Sequence, residues 1–128
     1  MSIVIIDDSA TNLIVLKYIA ASGGERPVVT FSQPAEARNY LSENTADLVI
    51  VDCEMPGLDG ISLVNQVRQF RHHADTPIIM VTNHTEGQIR HAALASGVTE
   101  FLSKPVDSAE LKLRIRNLLR LKTHRAVA

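Results

Sequence analysis

Five short apolar runs govern what this chain can fold into. Ile3 to Ile6, Val28 to Phe31, Leu48 to Val51, Ile78 to Val81 and Thr99 to Leu102 are rich in β-branched residues and mostly continuous in their apolar character. Strands buried on both faces look like this, whereas half-solvated strands alternate. Between the runs, the apolar residues change to helical spacing. Leu13, Leu16, Tyr18 and Ile19 form one such set, and Leu63, Val64, Val67 and Phe70 another. Pro34 suits the first turn of the helix between them. A fourth helix passes through Ile89, Ala92 and Ala93 and stops near Gly97. A fifth runs from about Leu111 to Leu121, with Asp107 and Glu110 spaced as an N-cap and its reciprocal partner. Strict strand–helix alternation predicts an α/β fold, a doubly wound parallel sheet of five strands with five helices on its two faces.

Composition narrows the function. A chain of 128 residues suits one domain. Thirteen Lys and Arg against 14 Asp and Glu argue against a globally basic nucleic-acid binder. The single cysteine, Cys53, excludes an internal disulfide framework and a cysteine-rich zinc site. The opening MSIVIIDDSA is too briefly apolar for a signal peptide or membrane span, so the expected location is cytoplasmic, with no membrane partner.

Acids stand where strands end: Asp7 and Asp8 after the first, Asp52 after the third. In a parallel sheet the carboxyl ends of the strands share one edge, where open α/β folds bind ligands. Thr82 and Lys104 reach the same edge from the fourth and fifth strands. Three crowded carboxylates repel unless a cation neutralises them. Oxygen-only ligands at a hydrated rim suit Mg²⁺. With such an ion present, an aspartate can attack phosphorus and carry an acyl phosphate, while Thr82 and Lys104 share the charge of the phosphoryl oxygens.

Four segments carry a resemblance: IVIIDDS, LVIVDCEMPGLDG, IIMVTN and EFLSKPV. In this order they are similar to the receiver domains of two-component response regulators, the fold of the chemotaxis receiver protein, over essentially the whole chain. The resemblance implies a flavodoxin-like (βα)5 fold with strand order 2-1-3-4-5. It implies Asp52 as phosphoacceptor, Asp8 as a direct Mg²⁺ ligand, Asp7 acting through water, and the backbone carbonyl of Glu54 as a further ligand. Thr82 matches the switch hydroxyl and Lys104 the lysine that pairs with the acceptor, before a Pro105 bond that is often cis in the family. Phe101 matches the switch aromatic, turning inward from a more exposed rotamer as Thr82 moves. The phosphodonor would be a sensor histidine kinase or a phosphotransfer protein. The output, in cis or in a partner protein, would be read through the face of the fourth helix, fifth strand and fifth helix. A homodimer fits the same picture, and no direct contact with nucleic acid is expected. The reading is of a signalling switch rather than an enzyme. Residues 1–121 form the expected receiver, and 122–128 a tail or the start of a linker resembling those that lead to cyclic dinucleotide phosphodiesterase outputs.

Other classes use similar groups. A small Mg²⁺-dependent phosphohydrolase with an aspartyl nucleophile would expect Asp-x-Asp after the first strand rather than adjacent acids. A degenerate receiver would bind partners without phosphorylation. Asn83 departs from the small residue usual after the switch threonine, and Glu54 and His84 flank the site. Plainer expectations hold elsewhere. Either N-terminal acid could cap the first helix, Cys53 reads as a small buried residue, and Pro56, Gly57 and Gly60 as turn formers. His72 and His73 read as exposed ends of a solvated helix, and His84 and His91 lie seven apart without further metal ligands. Leu111, Ile115, Leu118 and Leu119 share one arc of the last helix, Leu113 lies outside it, and six basic residues follow Asp107 as a solvated or partner-binding face.

Overall fold

The computed structural model describes residues 2–22, 26–55, 59–83 and 87–127, with side chains as far as 121. Five strands alternate with five helices: β1 Ile3–Ile6, α1 Ala10–Ala21, β2 Val28–Phe31, α2 Pro34–Glu43, β3 Leu48–Asp52, α3 Gly60–Gln69, β4 Ile78–Thr82, α4 Gly87–Ser96, β5 Glu100–Ser103 and α5 Ser108–Val127. A 3-10 turn, Arg71–His73, follows α3. All strands pair in parallel in the order β2-β1-β3-β4-β5. Fold class and strand order are as the sequence implies.

Alternation along each buried strand separates two cores. Val4, Ile6, Val49, Val51, Ile78 and Met80 face α2, α3 and α4, where they meet Leu41, Leu63, Val67 and Ala93. Ile3, Ile5, Leu48, Ile50, Ile79 and Val81 face α1 and α5, against Leu16, Ile19, Leu111, Ile115 and Leu118. Burying a Leu, Ile or Val side chain contributes roughly 1.5–3 kcal/mol. Both faces therefore hold the strands in place, and every strand delivers its last residue to the same rim.

Several local expectations need correction. Ser9, rather than Asp7 or Asp8, caps α1: its side chain accepts the Asn12 N–H at 3.2 Å. Asp107 caps α5 by accepting the Ala109 and Glu110 N–H groups, but Glu110 makes no return bond among the described residues. That helix starts three residues earlier than expected and continues without interruption past Leu121 to Val127. Gly97 ends α4 with φ 106°, a left-handed position that a glycine adopts without strain.

His73 is fully buried rather than exposed. The extended backbone at Phe70 ends α3, and the 3-10 turn then swings the ring beneath the C-terminal end of α2. There His73 Nε2 lies 2.9 Å from both the Leu41 and Asn44 carbonyls, and Nδ1 lies 2.9 Å from Thr76 Oγ1. His72 Nε2 reaches the same Leu41 carbonyl at 2.7 Å, so the two rings sit 4.3 Å apart instead of diverging. Carbonyls only accept, so both Nε2 atoms carry a proton and donate. The pair fastens α2 to the turn after α3. His91 is exposed, while Pro56, Gly57 and His84 lie outside the described residues. Among the described residues, no helix is long and apolar enough to cross a membrane.

Candidate functional site

The ends of β1 and β3 bring the three acids together. One carboxylate oxygen from each of Asp7, Asp8 and Asp52 lies within 4.8 Å of the other two. Asp7 and Asp52 are buried, and Asp8 is exposed toward the rim. Backbone bonds past the strand ends stiffen the cluster. Asp7 N–H donates to Phe31 at 3.1 Å, Cys53 N–H to Val81 at 3.0 Å, and Lys104 N–H to Thr82 at 2.8 Å. Asp7 Oδ1 accepts the Ser9 N–H at 2.9 Å, which ties its carboxylate to the start of α1.

Lys104 closes the group from β5. Its Nζ donates to Asp52 Oδ1 at 2.9 Å, and its bond to the following Pro105 is cis, as the resemblance implies. The same oxygen accepts the Glu54 N–H at 3.3 Å, so two donors converge on Oδ1. Oδ2 takes no hydrogen bond among the described residues.

Four acids against one lysine make an electrostatically unfavourable arrangement without a cation. Burial pushes the Asp7 carboxyl above its ordinary value; the Ser9 N–H opposes this, and the Asp52 charge adds to it. For Lys104 burial alone would lower the ammonium, but the hydrogen bond and charge of Asp52, with Asp7 and Glu54 behind it, outweigh burial and raise it. The donor set suits a hard divalent ion.

Thr82 is fully buried at the end of β4, and its hydroxyl donates to Glu54 Oε1 at 2.6 Å. The Asn83 N–H donates to that same oxygen at 3.2 Å, and Asn83 Nδ2 lies 3.5 Å from Oε2. Beyond the backbone carbonyl expected of it, Glu54 brings a side chain that clasps Thr82 and the residue after it. Sequence reasoning gave Glu54 a backbone-carbonyl role and a place flanking the site, but no role for its side chain. The available signal was an acid two residues beyond Asp52, facing a hydroxyl on the neighbouring strand. Cys53 is buried as expected. Burial raises its thiol, with the Thr82 hydrogen bond pulling the other way, so it is an inert thiol rather than a reactive one.

Gly60 serves close approach rather than a turn. An added Cβ there would lie 2.3 Å from the Asp52 carbonyl oxygen and 2.9 Å from Cys53 Cα. The Gly60 N–H donates to the Cys53 carbonyl at 3.0 Å, so the first turn of α3 rests directly on the backbone of the central acid. Asp59 caps that helix by accepting the Ser62 N–H at 2.8 Å. Phe101 stands apart from the acids. It is partly buried against the core on the α4 side.

Comparison with known proteins agrees with this geometry. Residues 3–116 match the response regulator receiver domain family. The chain is 36% identical over 123 residues to the cyclic di-GMP phosphodiesterase response regulator RpfG of Xanthomonas campestris pv. campestris, an alignment covering 95% of this chain and 32% of that protein. It thus spans about a third of that relative's length. It is 33% identical to a chemotaxis protein CheY homolog of Campylobacter jejuni, over 93% of this chain and 92% of the relative. Among solved structures, the receiver domain of sensor histidine kinase PA1611 from Pseudomonas aeruginosa superposes with a TM-score of 0.84 at 25% identity, over 92% of this chain and 96% of that one. That structure has a magnesium ion coordinated in its active site cleft.

Proposed function

Because this chain belongs to the response regulator receiver domain family and so to two-component signalling, we propose that it accepts a phosphoryl group on Asp52 and switches shape through Thr82 and Phe101. The donor is the phosphohistidine of a sensor kinase or phosphotransfer protein. Asp52 Oδ2 attacks phosphorus, the new O–P bond forms as the P–N bond breaks, and the imidazole leaves with the bonding pair. Lys104 holds Oδ1, which orients the carboxylate and leaves the other oxygen to react. Asp7, Asp8, Asp52 and the Glu54 backbone carbonyl would hold Mg²⁺. When bound, the ion offsets the repulsion of the acids and neutralises phosphoryl oxygens. The Thr82 hydroxyl then leaves Glu54 for a phosphoryl oxygen, and Phe101 follows toward the space it vacates. The face of α4, β5 and α5 changes and is read by an output domain or partner, in the cytoplasm. Likeness to RpfG supports a cyclic dinucleotide phosphodiesterase as the type of output.

One observation carries this reading: Lys104 Nζ at 2.9 Å from an Asp52 carboxylate that also belongs to the three-acid cluster. The test is phosphorylation by acetyl phosphate followed by intact mass spectrometry. Stoichiometric, Mg²⁺-dependent labelling is expected, abolished by Asp52→Asn and strongly reduced by Asp8→Asn. Labelling that persists in Asp52→Asn overturns the assignment. Catalytic turnover of a simple phosphate ester would favour the phosphohydrolase instead.

A further inference from the structure

A groove of about 460 Å³ lies between α1 and α5, and the cations along it have no role in the chemistry above. Its floor is apolar, formed by Ile3, Ile19, Ala20 and Ile115, all buried, with Leu119 beside them. Leu113, 49% exposed, stands at its edge as a large apolar side chain open to solvent. Lys112, Arg116 and Arg120 of α5 and Arg26, just before β2, also line it.

The charges are unevenly matched. Arg26 donates to Asp47 at 2.8 Å and is neutralised there. Lys112, Arg116 and Arg120 are exposed and meet no carboxylate among the described residues. They repeat every fourth residue on α5, so they form one ridge with about 6 Å of rise between members. A small anion needs donors that converge on one point, and these are strung along more than one turn. Nucleic acid would use the cations but leave the apolar floor unused. A helix with apolar residues along one stripe and carboxylates at every fourth position beside it meets both features at the same spacing.

We propose that this groove docks an acidic amphipathic helix of a partner protein, apolar stripe on the floor and carboxylates along the Lys112–Arg116–Arg120 ridge. Ile3 and the end of α1 belong to the opposite end of the sheet from the acid cluster. The docking surface is therefore separate from the phosphoacceptor site.

The probe is a synthetic amphipathic helix with Leu along one stripe and Glu at every fourth position beside it. Its counterpart carries Lys in place of Glu. Amide chemical shifts of the whole chain, followed during titration, are expected to move saturably at Ile3, Ile19, Ala20 and across Lys112 to Arg120. The double variant Lys112→Glu with Arg116→Glu, both exposed and outside the core, is expected to bind the Glu peptide at least about tenfold more weakly and to accept the Lys peptide instead. Leu113→Asn is expected to weaken the Glu peptide without that exchange of preference. Equal binding of both peptides, shifts confined to another face, or no loss in the double variant would overturn the proposal. So would tighter binding of a DNA duplex at the same residues, or self-association through them seen by sedimentation.

Discussion

Replacing Glu54 tests how firmly the resting switch is held. Its Oε1 accepts both the Thr82 hydroxyl at 2.6 Å and the Asn83 N–H at 3.2 Å. In the proposed switch, a phosphoryl group on Asp52 would recruit Thr82 by taking it from this carboxylate. Hydrogen bonds to charged groups contribute about 1.5–3 kcal/mol, and the exposure of Asn83 places this pair toward the lower end. Repulsion between Glu54 and an incoming dianion acts in the same direction. Relief of about 1.5 kcal/mol is slightly more than tenfold in an equilibrium constant.

Glu54→Ala is therefore expected to bind the phosphoryl mimic beryllofluoride, in the presence of Mg²⁺, about tenfold more tightly than the parent. Glu54→Gln keeps an acceptor for Thr82 but loses the charge, and should gain less. Titrations followed through the Thr82 and Lys104 amides give the affinities directly. A Thr82→Ala background isolates the coupling, since residues that share a hydrogen bond do not act additively. There the gain from Glu54→Ala should shrink. An unchanged or weaker affinity in Glu54→Ala, or an equal gain with and without Thr82, would refute the competition between carboxylate and phosphoryl group.

Other substitutions probe the scaffold of the site. Gly60→Ala forces a Cβ to 2.3 Å from the Asp52 carbonyl, so α3 must back away; the expected loss is about 1–3 kcal/mol, read as a lower midpoint of thermal unfolding. Asp7→Asn is expected to stabilise the metal-free protein and weaken Mg²⁺ binding, because burial raises the Asp7 carboxyl. A raised folded-state value means its stabilising contribution is present below the ordinary carboxylate value of 3.8 and lost as pH rises through the folded value. The stability gap between Asp7→Asn and the parent should thus widen upward through that window in urea titrations, and a gap that narrows would contradict it. His73→Leu leaves the Asn44 carbonyl and the Thr76 hydroxyl without their ring partner. Asn44 can turn to water, whereas Thr76 is buried, so the expected shift of the urea midpoint corresponds to one unsatisfied buried group, about 1–3 kcal/mol.

The sheet was legible because its strands are buried on both faces, so periodicity alone separates them from the helices. The acid cluster was legible for a related reason: strand ends in a parallel sheet share one rim, and Asp7, Asp8, Asp52, Thr82 and Lys104 all occupy such ends. What escaped the sequence depends on meetings between a side chain and a distant backbone. His73 looks like a polar residue at a helix end until Phe70 turns the chain and the α2 carbonyls arrive above it. Gly60 looks like a turn glycine until α3 is seen resting on Asp52. Neither approach has a period or a motif that would announce it. Glu54 was visible as a neighbour of the site, but its bond to Thr82 requires the register of β3 against β4.

That same register offers a route for the proposed switch from Asp52 to the α4 side of the sheet. Asp52 pairs with Val81 on β4, and Thr82 pairs with Ser103 on β5. Phe101 pairs with Met80, two residues before Thr82, so side chains of Met80, Thr82 and Phe101 project to the same face of the sheet, that of α4. With strands about 4.8 Å apart and about 3.3 Å of rise per residue, Thr82 and Phe101 are diagonal neighbours at roughly 8 Å between Cα atoms. No relay through intervening helices is needed. Thr82 is the end of a buried strand held between β3 and β5 and has little freedom except in its side chain, which makes its choice between Glu54 and a phosphoryl oxygen a change of partner. Phe101, partly buried against the core on that same face, is positioned to respond to such a change.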